Sequence, residues 1–174
     1  MPTQKQLNTT KLPCFTGYIT QALVINFAPL LFITFTKEFR LSLAEISGLI
    51  SLTFIVQLIT DGVSVRIIDS VGYRPLAVSS HIFASAGLLG LAFFPSVFPT
   101  PYTGLAAAVV LYSVGGGLIE VLISPIIEAC PFKNKESAMS MLHSFYCWGQ
   151  MLTVALSTLF FAVRGTKDWR TLAC

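Results

Sequence analysis

Residues 12–36 read LPCFTGYITQALVINFAPLLFITFT, a run of 25 residues without a charged side chain. A helix needs roughly 20 apolar residues to cross the hydrocarbon core of a bilayer, so this run is long enough to span it. It is too long for the apolar region of a signal peptide, and its flanks lack a small-residue cleavage site, so it reads as a retained span. Working outward, a second apolar run starts at Glu45 and continues past Asp61 to Ile68. From Pro75 to Ile119 there is a charge-free stretch of 45 residues, interrupted by Phe-Pro-Ser-Val-Phe-Pro-Thr-Pro at 94–101. Three prolines in so short a piece predict a turn, which divides the stretch into two helices. Another 27 residues between Glu136 and Arg164 carry no charge. The expectation is an all-α membrane protein, a helical bundle with helices at about 13–36, 43–68, 75–95, 102–129 and 138–163 forming a single transmembrane unit.

Composition agrees with that pattern. The chain has 174 residues, 54% of them hydrophobic and 11% charged, where an ordinary soluble domain carries roughly 25% charged residues. Too few charges remain to cover a buried core with a polar surface, so most apolar side chains must face lipid or other membrane helices. The net charge of +3 comes from residues at the ends of the apolar runs, with no dense basic surface, which argues against nucleic acid as a partner. Cys14, Cys130, Cys147 and Cys174 are far apart without CxxC spacing, so neither a disulfide framework nor a zinc site is expected. There is no HExxH or GxSxG, and the acids lack paired metal-ligand spacing; the chain does not read as an enzyme, and no cofactor or metal is implied.

Orientation follows from Lys and Arg at the span ends. With the N-terminal tail Met1 to Lys11 in the cytoplasm, the inner set is Lys5, Lys11, Arg66, Arg74, Lys133 and Lys135, against Lys37, Arg40, Arg164, Lys167 and Arg170 outside. Six against five becomes six against two if the segment after the fifth span is set aside. That segment resembles a loop preceding a sixth helix, and the expectation is an N-terminal piece of a longer protein whose C-terminal half is its missing partner.

Ionisable and polar residues inside a bilayer are costly and point to function by default. Glu120 stands mid-span in Gly115-Gly116-Gly117-Leu118-Ile119-Glu120-Val121-Leu122-Ile123-Ser124-Pro125. The glycines allow close helix approach, Pro125 frees the Val121 carbonyl, and Ser124 lies one turn from Glu120. A carboxyl there can bind a proton, a sodium ion or a sugar hydroxyl, or it can be satisfied structurally by a neighbour such as His143. On the second span Gln57 and Asp61, with Thr53, Thr60 and Ser64 nearby, make a polar stripe; Asp61 either faces a cavity or pairs with Arg66 near the cytoplasmic surface. On the fifth, His143, Cys147 and Gln150 share a face, a plausible cavity lining. Asn26 and Pro29 mark a polar, bent or broken stretch of the first span. His81 reads as interfacial, and Glu128 as an acid pairing in the loop with the nearby lysines.

The loop Asp69-Ser70-Val71-Gly72-Tyr73-Arg74-Pro75 resembles the signature of the major facilitator superfamily, with Asp69, Gly72 and Arg74 matching and Val65, Ser70 and Tyr73 departing from it. The Glu120 to Pro125 segment is similar to the fourth helix of the fucose-permease-like branch of sugar and cation symporters, with Ser124 in place of Asn. His143 to Gln150 resembles the polar start of that branch's fifth helix. A first-helix Asp of the branch has no counterpart here, Pro29 standing in its place. What the resemblance implies is the N-terminal part of a secondary transporter in the plasma membrane. It would work by alternating access and carry a small polar solute such as a sugar, coupled to H+ or Na+. Glu120, Asn26, Gln57, Asp61, His143 and Gln150 would serve solute or ion, and Asp69, Gly72 and Arg74 the cytoplasmic gate. Pro29, Gly116, Ser124 and Pro125 would shape the helices. The alternatives are a non-transporting membrane scaffold or sensor and a small self-assembling membrane protein.

Overall fold

The computed structural model describes the backbone of residues 4–173 and the side chains of residues 10–173; Lys5 and Cys174 lie outside those described side chains. Five long helices follow one another: α1 (Gln4–Phe39), α2 (Leu43–Val71), α3 (Tyr73–Val97), α4 (Pro101–Ala129) and α5 (Lys135–Arg164). A 3-10 turn (Thr166–Asp168) and a short α6 (Trp169–Ala173) complete the described chain. All five long helices are apolar and long enough to cross a membrane.

Local chemistry sets the helix starts. Ser42 caps α2, accepting from the Glu45 amide while the Glu45 carboxylate accepts from the Ser42 amide, a reciprocal capping box. Thr100 and Thr103 do the same for α4, with Pro101 in the first turn where no amide donor is needed. Asn134 Oδ1 accepts from the Ser137 amide at 3.0 Å to open α5. Gly72 alone separates α2 from α3, at φ +88 and ψ 160, a backbone region open essentially to glycine.

The packing centres on α4, the most enclosed helix, whereas α2 and α5 are the least enclosed. It packs chiefly against α3, α2 and α1, and α1 in turn packs along α5. Gly115, Gly116 and Gly117 explain how α4 reaches three neighbours in one turn. A side-chain carbon at 115 would collide with the Ala84 backbone of α3, one at 116 would touch Ile25 of α1, and one at 117 would press on Thr60 and Asp61 of α2. Successive helical residues point about 100° apart, so each glycine admits a different helix. One turn earlier on the same α3-facing side of α4, Gly87 of α3 leaves room for the Tyr112 backbone.

Several expectations change here. The stretch 94–101 is not a turn throughout, because α3 continues through Pro95 to Val97. Pro95 is buried, and the Phe94–Pro95 backbone lies against Gly104 of α4, so interhelix packing holds the turn that the missing amide would otherwise weaken. Pro29 does not break α1, which is one helix through both Pro13 and Pro29. Ala28, Leu31 and Phe35 around it are buried in the core, and this packing spans the lost hydrogen bond. The N-terminal tail is helical from Gln4, where Gln4, Lys5, Gln6 and Leu7 are good helix formers. The segment after α5 is no plain loop: Trp169 is completely buried against Phe35 and Phe39. Its Nε1 donates to Glu38 Oε2 at 2.5 Å, and Arg170 pairs with Glu38 Oε1 at 2.7 Å.

Candidate functional site

The polar residues of four helices converge on one side of α4, opposite α3. α1 supplies Tyr18, Gln21 and Ile25; α2 supplies Phe54, Gln57, Leu58 and Asp61; α4 supplies Glu120; and α5 supplies His143 and Tyr146. Each set follows helical spacing, so one face of each helix is presented. Together they line an open cavity of about 520 Å³, within the size range of small-molecule sites.

The hydrogen bonding explains how the wall is held. A carboxylate only accepts, so the Gln21 amide turns its nitrogen to Glu120 and donates from Nε2 to Oε2 at 2.9 Å. One turn further along α4, Ser124 Oγ shares a 2.8 Å hydrogen bond with the Tyr18 hydroxyl. The α1–α4 pair is thus fastened twice beside the cavity. His143 stands edge-on to the Tyr18 ring at 5.7 Å between centroids, and Tyr146 does so at 6.1 Å. Asp61 Oδ1 is buried without a hydrogen-bond partner, as is Gln21 Oε1.

The polar stripe of α2 divides by function. Thr53 gives its proton to the Leu49 carbonyl at 3.0 Å, so the Tyr112 hydroxyl, 3.2 Å away, must donate to it. Thr53, Thr60 and Ser64 are buried within the bundle, whereas Gln57 and Asp61 face the cavity. Asp61 makes no ion pair with Arg66; among the described residues Glu38–Arg170 is the only one.

Of the residues expected to bind solute or ion, the structure brings together Gln57, Asp61, Glu120 and His143 and leaves two aside. Asn26 donates to the Ala22 carbonyl of its own helix at 2.7 Å, and Gln150, one turn beyond Tyr146, is exposed and not among the lining residues. Glu120 is partnered by Gln21, not by His143. Gln21 and Tyr18 were missed in the sequence, although a Tyr and a Gln three residues apart in an apolar helix are a readable signal. Pro125 lies within a continuous α4. Asp69 and Arg74 are exposed at the two sides of the Gly72 turn without an ion pair between them. Glu128 is not paired through its carboxylate, since Lys135 Nζ donates to its backbone carbonyl at 2.8 Å. His81 bonds the Ala77 carbonyl of α3, exposed and remote from this cavity. Cys14, Cys130 and Cys147 are free thiols.

The Major Facilitator Superfamily profile matches residues 14–173, nearly the whole described chain. The chain belongs to the major facilitator superfamily. Members of that superfamily are membrane transporters, and this multi-pass helical bundle, with a polar cavity between four of its helices, is a membrane transporter of the same kind. No curated protein and no solved structure matches the chain. Within a major facilitator protein the Asp69–Gly72–Arg74 turn is the α2–α3 loop, and Gly72 is the residue whose backbone conformation that loop requires.

Proposed function

We propose that the chain forms one wall of a secondary active transporter that carries a small polar solute by alternating access, with Glu120 as the residue that couples cation and solute. The observation that carries this reading is the Gln21–Glu120 hydrogen bond at the edge of a cavity that also holds Asp61. Carboxylates in the middle of apolar helices are expensive unless they face water, a partner or a ligand. Here both face one cavity, which is open along a side that a second helical bundle would close, supplied by the same polypeptide or by a second copy. The fucose-like resemblance of α4 supports a sugar as cargo and H+ or Na+ as coupling ion; the Asp69, Gly72 and Arg74 turn supports a gate at the cytoplasmic side of the plasma membrane.

Reconstituted vesicles test the reading. Uptake of labelled hexoses and of labelled amines is followed under an imposed proton or sodium gradient, for the wild-type protein and for Glu120→Gln. Gradient-driven accumulation that the Gln variant converts to downhill exchange supports the proposal. Accumulation equally gradient-driven in both proteins removes Glu120 from the mechanism, and the absence of any uptake favours a scaffold.

A further inference from the structure

The cavity holds more hydrogen-bond acceptors than the protein satisfies. Gln21 is only 4% exposed; its amide nitrogen is committed to Glu120, and its carbonyl oxygen is buried with no donor. Asp61 Oδ1 is in the same condition. The charge is equally one-sided: the lining contains the carboxylates of Asp61 and Glu120 and neither Lys nor Arg, its other titratable groups being Tyr18, His143 and Tyr146. The Tyr18 hydroxyl is already shared with Ser124. Asp61 reaches toward Gly117, three residues before Glu120 on α4, so both acids crowd one stretch of that helix. Two like charges in a medium of low dielectric repel, and an occupant that is itself positive relieves that repulsion.

Size and wall chemistry narrow the occupant. About 520 Å³ is far more than a bare metal ion fills, and Phe54, Tyr18 and Tyr146 line the same space. Aromatic faces attract cations, alkylammonium groups included. A neutral sugar brings more acceptors than donors and leaves the two carboxylates uncompensated.

We infer that the solute of this cavity is a small organic cation bearing an ammonium group, held by Gln21 Oε1, Asp61 and Glu120 with its carbon skeleton against the aromatic wall. The inference rests on the transport reading above and puts an organic cation in place of the sugar that the α4 resemblance suggests. The ammonium N–H groups supply the donors that the two buried oxygens lack once the Gln21 and Asp61 side chains turn those oxygens into the cavity, and the positive charge bridges helices α2 and α4.

Binding can be read without transport. The 174-residue chain in detergent is melted with ethylammonium chloride, tetramethylammonium chloride or D-galactose, each compared with potassium chloride at equal ionic strength. Ethylammonium is expected to raise the melting temperature saturably, by about 3 °C or more. Tetramethylammonium, which has charge and no N–H, is expected to act more weakly. Glu120→Gln and Asp61→Asn should each weaken ethylammonium binding by about tenfold or more, and Asp61→Glu should retain it. If Asp61→Asn fails to fold, Gln21→Leu removes an acceptor oxygen from the same site and is expected to weaken binding as well. Stabilisation by D-galactose without any by ethylammonium overturns the inference and leaves the transport reading standing. Ethylammonium indistinguishable from potassium overturns it too. Failure of the transport reading is separate, since it shows as no uptake of any solute into vesicles.

Discussion

Asp61 Oδ1 of α2 lies 3.2 Å from the point where a side-chain carbon on Gly117 of α4 would begin. The acid is therefore placed in the cavity by the absence of a side chain on the helix that also carries Glu120. Thr60 Cβ and Cγ2 lie at the same 3.2 Å, so a methyl group at 117 pushes on α2 as a whole. Gly117→Ala is expected to cost about 1–3 kcal/mol of stability through overpacking and to reduce solute uptake several-fold, because α2 shifts away from Glu120. Melting and uptake measured on one preparation check it; unchanged uptake shows that the position of Asp61 is immaterial.

Glycines that face neighbours and glycines that face open space should behave oppositely. A side-chain carbon at Gly87 would overlap the Tyr112 backbone, whereas nothing lies within 4 Å of one at Gly62. Gly87→Ala is expected to lower the melting temperature markedly, at a cost of about 1–3 kcal/mol. Gly62→Ala should leave it unchanged or raise it, since alanine favours a helix by about 1 kcal/mol over glycine. Equal melting of the two variants would show that α3 and α4 do not approach as closely as described.

The double fastening between α1 and α4 is open to a mutant cycle. Tyr18→Phe removes one partner of the 2.8 Å hydrogen bond and Ser124→Ala the other. Each single change is expected to cost about 1 kcal/mol, with the double change costing little more than one. Strict additivity of the two costs in denaturation measurements contradicts the bond.

Glu38 fastens the segment after α5 to the end of α1 through Trp169 and Arg170. The Arg170 pair is partly exposed and contributes little by itself, on the order of 0–1 kcal/mol; burial of the indole holds most of the contact. In a Trp148→Phe background Trp169 is the sole tryptophan. Glu38→Ala should then shift its emission to the red and raise its quenching by iodide. Unaltered emission and quenching in that variant would show that apolar contact with Phe35 and Phe39 suffices.

The helices were legible because charge-free runs of that length have one outcome in lipid, and the Gly72 turn because an Asp-to-Arg loop with a single glycine allows little else. The proline segments misled for a common reason: Pro29 and Pro95 lose a hydrogen bond locally, and the packing that compensates comes from residues distant in sequence, such as Gly104 against Phe94 and Pro95. The same limit governed the site. Glu120 is visible as an acid in an apolar run, but its partner Gln21 lies 99 residues earlier, and no spacing along one helix reveals a partner on another. Asn26 was chosen for its polarity beside Pro29 and Gln150 for the face it shares with His143; neither signal says how far a lining extends along a helix, and Asn26 turns to its own helix.

The central claim is that the faces of α1, α2, α4 and α5 line one wall of a water-filled path through the membrane. With the native cysteines replaced, Gln57→Cys in the cavity is compared with Ile59→Cys, which is exposed on the outer side of α2, in vesicles treated with a charged, water-soluble thiol reagent. The account predicts rapid modification at 57, with the accessible side of the membrane changing as solute is added, and almost none at 59. Slow modification at both positions, or faster modification at 59, contradicts it.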